Sequence, residues 1–497
     1  MVGVPAAATL VAVAYVLHAG FDAGVQPTTI VRPLLLTAAI GVALTTLLVA
    51  VCRSRELGGL VAVLAILGAL GAGAAGTLVT RAHPVQTALW LALVAITLVL
   101  AIRVVRRLHQ GRRLPRSSSV NVVSVLLLGI IAVQGLMGVR PPIPAAEPPD
   151  VPAASATGRD MLLVLLDGYP RADILQRYFA FDNRPFVDEL AARGFEVSER
   201  AHANYAWTEL TLLSMLHMEH ATEIDVFTDL ATRSESQPWL RELTAANPAF
   251  ALARQAGYEI ATIATNIDHV TLTSADTVIT PPGPSDFESH LMRSTAVAGA
   301  IGMVDPDWFA GWQRSQVLWS FDTLTRLAST TGTGRLIVAH VLSPHMPAVF
   351  NADGSLRPVA FNESFHADFR ALTDIAADDW RDAFVGQLEF VNTRTLAAVD
   401  RIIGANPDAD VVVMSDHGTG MHYRPDHPRQ LAEERYSTLF ASRTPGIETP
   451  FSDDQTPVNV FPRWFNARLG TDLPDRPGTA YAGYLDLTPL SLDVSSR

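Results

Sequence analysis

Hydrophobic positions run along this chain in two different rhythms. Up to residue 140 they form five long, nearly unbroken stretches, at roughly 4–21, 31–52, 58–80, 85–102 and 120–139, separated by short polar turns. Each approaches or exceeds the ~18–20 residues that a helix needs to cross a bilayer. One such stretch alone reads equally well as a buried core helix or, at the N-terminus, as a signal peptide, although the first lacks a basic start. Five in series predict a five-helix transmembrane domain over residues 1–140. From residue 159 the rhythm changes. MLLVLLD, YEIATIAT, RLIVAHVLS and DVVVMSD are short apolar runs of the kind that strands buried on both faces show. RPFVDELAARG and GQLEFVNTRTLAAVDRIIGA repeat their apolar positions at helical spacing. This alternation predicts an α/β domain over residues 159–497, with a mostly parallel sheet covered by helices on both faces. Residues 141–158, rich in Pro and Ala, read as a semi-rigid linker.

Charge sharpens the division. Residues 1–140 hold eleven arginines against Asp22 and Glu56, a formal +9, and the total of −12 leaves −21 for the remainder. The chain contains no lysine. So acidic a second half argues against nucleic acid as a partner, because phosphate neutralisation needs clustered cations. Arg53 and Arg55 mark one inter-helix turn, and Arg103, Arg106, Arg107, Arg112, Arg113 and Arg116 crowd another. Both turns fall on the same side of a five-helix array, and the positive-inside rule makes that side cytoplasmic. The expected protein is therefore multi-pass in the plasma membrane, with residues 159–497 extracytoplasmic. Cys52 is the only cysteine, so no disulfide, zinc ribbon or thiol chemistry is available within one chain.

Two of the apolar runs stop abruptly at acidic residues, the first at Asp167-Gly168 and the last at Asp416-His417-Gly418. In open α/β sheets, ligands gather at the carboxyl ends of parallel strands. Mixed carboxylate and imidazole donors suit zinc or manganese better than calcium. Between them lies ANYAWTELTLLSMLHMEH, which becomes helical near Glu209 and places Thr208 at the helix start. There the first-turn amides and the dipole favour a bound anion or an alkoxide. Thr208 is thus either a metal-bound nucleophile or simply an N-cap. His427, in GMHYRPDH soon after the Asp-His pair, is a further candidate for the same pocket.

In this order and at these separations, Asp167, Thr208 and Asp416-His417 resemble the motifs of the alkaline phosphatase/sulfatase superfamily. Within it the chain looks most like the membrane-anchored branch of lipoteichoic acid synthases and phosphoethanolamine transferases. The resemblance implies an alkaline-phosphatase-like α/β/α domain after about five membrane helices. It implies one divalent metal ion, manganese or zinc, held by Asp167, Thr208, Asp416 and His417. It makes Thr208 the catalytic nucleophile, and the segment HVLSPHMP is similar to the family's His-x-Pro segment, which implies that His345 acts on the transferred phosphate or leaving group; His427, from its place after the Asp-His pair, is expected to bind substrate. The implied activity is transfer of a phospho-head group from a membrane phospholipid to a cell-envelope glycan or other hydroxyl acceptor, through a phospho-threonine intermediate. A phosphodiesterase or phosphatase that uses water shares the first step, and a non-catalytic membrane scaffold is the reading from another class. Two departures narrow the field. No Cys/Ser-x-Pro/Ala-x-Arg signature is present, which argues against formylglycine-dependent sulfatase chemistry. A second metal set does not assemble convincingly, even from His345, His427 and an acid such as Asp353.

Overall fold

The computed structural model describes residues 4–22, 25, 27–80, 143, 158–233, 238–329, 334–359, 375–422 and 428–492. In chain order its helices are α1 (Val4–Asp22), α2 (Pro27–Cys52), α3 (Arg55–Thr80), α4 (Ala172–Phe179), α5 (Arg184–Ala192), α6 (Thr208–His217), α7 (Asp225–Arg233), α8 (Pro238–Ala245), α9 (Pro248–Gln255), α10 (Asp286–Arg293), α11 (Ala296–Val304), α12 (Trp308–Ala328), α13 (Ala377–Ala405), α14 (Pro428–Tyr436) and α15 (Val460–Leu469). The strands are β1 (Met161–Leu166), β2 (Glu196–Val197), β3 (Glu259–Ile263), β4 (Thr277–Ile279), β5 (Arg335–Val341), β6 (Asp410–Met414), β7 (Phe440–Arg443), β8 (Ala480–Ala482) and β9 (Thr488–Leu490). The chain divides into two compact units, one of residues 1–141 with 284–306, the other of residues 142–283 with 307–497.

In the first unit α1, α2 and α3 pack on one another through small residues, with Ala7, Ala8, Ala12 and Ala62 buried between them. Such residues let apolar helices approach closely where no hydrophobic drive separates helix from lipid. Thr28–Cys52 spans 25 residues at a mean hydropathy of 2.5, long and apolar enough to cross a membrane. Ala6–Gly20 and Leu57–Leu70 are shorter apolar stretches. The spans expected at 85–102 and 120–139 lie outside the described residues.

The second unit is built on a seven-stranded sheet in the order β2-β7-β6-β1-β5-β3-β4. The strands from β6 to β4 run parallel, whereas β7 is antiparallel to both β6 and β2. All four apolar runs singled out in the sequence are strands of this sheet: β1, β3, β5 and β6. Side chains alternate along β1. Leu162, Val164 and Leu166 join α12 and α13 in one core, through residues such as Phe321 and Trp380. Met161, Leu163 and Leu165 join α6, α9 and α15 in the other, with Leu212, Phe250 and Trp464. Each apolar side chain so buried is worth on the order of 1.5–3 kcal/mol relative to exposure. Coverage on both faces explains why these strands read as continuous rather than alternating apolar runs.

β1 lies between β5 and β6 in parallel register, Val164 opposite Ala339 on one side and Val413 on the other. Its two ends are treated differently. At the amino edge, Asp160 is fully buried but receives the Arg335 amide at 2.9 Å and the Arg335 guanidinium at 2.6 Å. Asp410, equally buried, accepts Arg468 Nε at 2.6 Å and Trp464 Nε1 at 3.0 Å. Buried carboxylates here are matched by cations. Arg335→Met leaves Asp160 buried without its cation and is expected to cost about 3–5 kcal/mol. Chemical denaturation reads this as a lower midpoint, and adding Asp160→Asn to the same chain is expected to recover most of it.

Candidate metal centre and active site

At the carboxyl edge the carboxylates meet imidazoles and a hydroxyl instead. Asp167 follows β1 directly and turns through Gly168, whose φ is +73°. A Cβ on Gly168 would lie in ordinary contact with the His345 Cα, at 3.4 Å, so a side chain there would meet backbone strain rather than crowding. The close approach is used: the His345 amide donates to the Asp167 carbonyl at 2.9 Å, and the Gly168 amide donates to Asp416 Oδ1 at 3.1 Å. Asp416 arrives from β6 through Ser415. The Ser415 hydroxyl accepts the Tyr169 amide at 2.8 Å and donates to the His417 carbonyl at 2.7 Å, stitching the two strand ends together. Gly418 is required for space rather than freedom, since a Cβ there would stand 2.1 Å from the Glu434 carbonyl oxygen.

Thr208 opens α6 but does not cap it. The preceding Trp207 is extended (φ −132°, ψ 132°) and takes the cap position without a side-chain bond. The Thr208 hydroxyl is free for other work and donates to Asp416 Oδ2 at 2.6 Å, with His417 Nε2 3.2 Å away. One turn later Thr211 donates to the Asp416 carbonyl at 3.1 Å, which fixes the helix start against the strand end. Ser214 and His217, further along, bond the Glu219 and Leu243 carbonyls and face away from the site chemistry.

The state of His417 follows from its partners. Nδ1 lies 2.9 Å from the Gly418 carbonyl, so it carries the proton. Nε2 then presents its lone pair, 3.3 Å from Asp416 Oδ2 and 3.7 Å from Asp167 Oδ1. An imidazole fixed by a backbone carbonyl through its other nitrogen is the usual arrangement of a metal-binding histidine. Asp167 Oδ1 is buried with no hydrogen-bond partner. Burial by itself raises the Asp167 pKa, but His345, His340 and His417 outweigh it and hold the carboxyl well below the usual range. Asp167, Thr208, Asp416 and His417 are thus brought together as two carboxylates, a hydroxyl and an imidazole, a donor set that fits zinc or manganese.

Two residues at the site carried no sequence expectation or only a vague one. His340, inside β5, points Nε2 at Asp167 Oδ2 from 3.0 Å, and with Asp167 and Asp416 it forms a group of donor atoms within 4.8 Å of one another. Arg435 is 1% exposed and braces the site by donating to the Ala206 carbonyl at 2.7 Å and the Gly418 carbonyl at 2.8 Å, with Nη2 3.2 Å from His417 Nε2. His345 is half-buried, its ring centroid 6.2 Å from that of His417, and its Nδ1 lies 2.6 Å from the Met346 carbonyl. Gln387 holds this loop through the Pro344 and His345 carbonyls, and a cavity of about 20 Å³ beside it is lined by Gln313, Gln316 and Thr265. His427 lies outside the described residues. His422 bonds the buried Glu434 at 2.9 Å, and Asp353 accepts the Ser355 amide within its own exposed turn. Tyr169 turns inward to a buried Asn183–Asn392 pair, Arg171 pairs with Asp173 and donates to the Ala201 carbonyl, and Asn204 donates to the Thr479 carbonyl and accepts the Val458 amide.

No protein-family model matches the chain, and no curated protein does. Among solved structures it is similar to the periplasmic domain of EptC from Escherichia coli, at 15% identity over 71% of this chain and 97% of that one, with a TM-score of 0.43. It is similar to the integral membrane lipooligosaccharide phosphoethanolamine transferase A from Neisseria meningitidis, at 13% identity over 90% of this chain and 77% of that one, TM-score 0.38. A third similar structure is the 2-O GAG sulfatase BT1596, at 14% identity over 64% of this chain and 71% of that one, TM-score 0.41. Likeness at this level says nothing of substrate, and the chemistry is carried by the residues themselves.

His340→Leu removes the donor that orients Asp167, and metal affinity is expected to fall about 10–100-fold. Competition against a chromophoric chelator measures it. His340→Gln, which keeps an N–H donor, is expected to fall between wild type and His340→Leu.

Proposed function

We propose that the protein is a membrane-anchored, metal-dependent phosphotransferase of the alkaline phosphatase/sulfatase superfamily. It moves a phospho-head group from a membrane phospholipid to a cell-envelope glycan or other hydroxyl acceptor, on the extracytoplasmic side of the plasma membrane. The single observation that carries this reading is the position of the Thr208 hydroxyl. It sits at a helix N-terminus, 2.6 Å from Asp416 and 3.2 Å from His417, beside an Asp167 oxygen with no partner of its own. A threonine placed only to cap its helix has no reason to spend its proton on a buried carboxylate.

A bound zinc or manganese ion supplies positive charge that makes the hydroxyl more acidic and offsets charge on phosphoryl oxygens. Asp167, Asp416 and His417 would hold it, together with the Thr208 oxygen. Asp416 accepts the Thr208 proton as the Oγ–phosphorus bond forms and the bond from phosphorus to the lipid oxygen breaks. His345, its Nδ1 committed to the Met346 carbonyl, presents Nε2 as the nitrogen that gives a proton to the departing lipid alkoxide. In the second step the acceptor hydroxyl attacks phosphorus and yields its proton to His345. Thr208 leaves and recovers its proton from Asp416. The N-terminus of α6 and the buried Arg435 add fixed positive potential where phosphoryl charge collects.

Intact mass of the full-length protein, incubated with manganese and either phosphatidylglycerol or phosphatidylethanolamine beside a Thr208→Ala variant, tests the reading. A glycerophosphate or phosphoethanolamine adduct is expected on the wild type and not on the variant. Lipid head-group release without an adduct, lost in Thr208→Ala, points to water as acceptor. Bound metal with neither adduct nor release overturns the transferase, and absence of metal leaves a scaffold.

A further inference from the structure

Residues 284–306 interrupt the α/β unit between β4 and α12, yet they group with the N-terminal helices. The chain therefore passes between the two units at 141/142, 283/284 and 306/307. The first helix of this segment, α10, is amphipathic and well anchored. Ser285 and Glu288 close a capping box, with Ser285 Oγ accepting the Glu288 amide at 3.2 Å and Glu288 Oε2 accepting the Ser285 amide at 2.9 Å. Phe287 and Leu291 are buried against Val16 of α1 and Ile30 of α2. Arg32 donates to Glu288 Oε1 at 2.6 Å, and the Tyr15 and Ser294 hydroxyls lie 3.1 Å apart. All these contacts are at the end of the bundle where α1 turns into α2. The basic turn with Arg53 and Arg55 joins α2 to α3, at the other end.

The second helix, α11, is different. Its sequence, AVAGAIGMV, contains no charge, and it packs against α3. It turns apolar side chains outward: Met303 is 83% exposed and Val304 88%. The same unit leaves Val31, Leu35, Leu36, Ile40, Val42, Leu47 and Val51 of α2 exposed, so α11 adds apolar surface to a unit whose exterior is already suited to lipid. Nine residues of helix rise only ~13–14 Å, under half of a ~30 Å hydrocarbon core, so α11 is too short to cross. A charged helix at the level of Arg32 beside an uncharged one is what the boundary between head groups and acyl chains accommodates. A second protein copy covering α11 would leave the α2 surface unexplained, whereas lipid covers both.

We propose that residues 284–306 form an interfacial element of the membrane domain, with Val297, Met303 and Val304 in the acyl-chain boundary of the leaflet opposite the Arg53–Arg55 turn. It rests on the membrane reading of α1–α3, not on the transferase reading, and gives the α/β unit a second lipid-bound attachment. The lone cysteine makes the test direct. Full-length protein carrying Cys52→Ala with Met303→Cys, and a control carrying Cys52→Ala with Ile40→Cys, are labelled with an environment-sensitive dye. Both are placed in vesicles of phosphatidylglycerol and phosphatidylcholine. For an element ~5–10 Å below the surface, lipids with a quencher high on the acyl chain are expected to lower the Met303→Cys signal roughly twofold, while aqueous iodide changes it little. The control responds most to deep quenchers. A Met303→Cys label quenched by iodide and not by lipid, with the control behaving as stated, overturns the proposal and spares the membrane reading. Loss of lipid quenching at both positions overturns both. Protection of Met303→Cys that vanishes on dilution into excess lipid assigns the surface to a second copy and overturns the proposal.

Discussion

Asp167 and Asp416 leave the ends of neighbouring strands for the same buried space, where they offer carboxylate oxygens within 4.8 Å of one another. At an effective dielectric of ~20, two unit charges at that distance repel by about 3–4 kcal/mol. Neither residue has a choice of position. Each follows a strand whose side chains are locked into two cores, and a slip of one residue along β1 would exchange those faces. The repulsion is therefore imposed by the same packing that stabilises the sheet, and cations or hydrogen-bond donors at the strand ends must relieve it.

The amino edge of the sheet shows what relief looks like when it is structural. There Asp160 and Asp410 are each met by an arginine at 2.6 Å. At the carboxyl edge no arginine bonds Asp167 or Asp416 among the described residues. Histidines 340 and 417 and the Thr208 hydroxyl take that place, groups that bind a metal as readily as they share a proton. A fold that needed only stability would have repeated the lower solution. The difference between the two edges is what marks the carboxyl edge as the candidate site.

Much of this was legible in the chain. Four strands, the acidic residues at the ends of β1 and β6, and the helix beginning at Thr208 all follow from local patterns of apolar and turn-forming residues. His340 escaped because it sits within RLIVAHVLS, where a single polar residue reads as a tolerated interruption. Parity contains the missing signal: His340 pairs with Leu165 and shares its face with Leu336 and Val338, the face that α6 covers. Arg435 was one of several residues that could line the site, and nothing selected it because its partners are the backbone carbonyls of Ala206 and Gly418, which leave no trace in sequence. The edge strands β2 and β4 are two and three residues long, too short for any periodicity to register. Residues 284–306 read as an ordinary part of the α/β domain because association with helices more than 200 residues earlier has no local signature.

The placement of that segment also sets an order of events during synthesis. Gly168 and Asp416, which meet across the β1–β6 edge, are separated by 248 residues, and β5 lies between them in the chain. Residues 284–306 are synthesised before β5 or β6. A nascent chain thus holds β1 with both of its flanks open while the α10–α11 pair is already complete and free to dock on α1–α3. Closure of the sheet, and with it the gathering of the two carboxylates, comes last. An unfinished or prematurely terminated chain lacks one of the paired carboxylates, so the site cannot assemble until translation has passed residue 417.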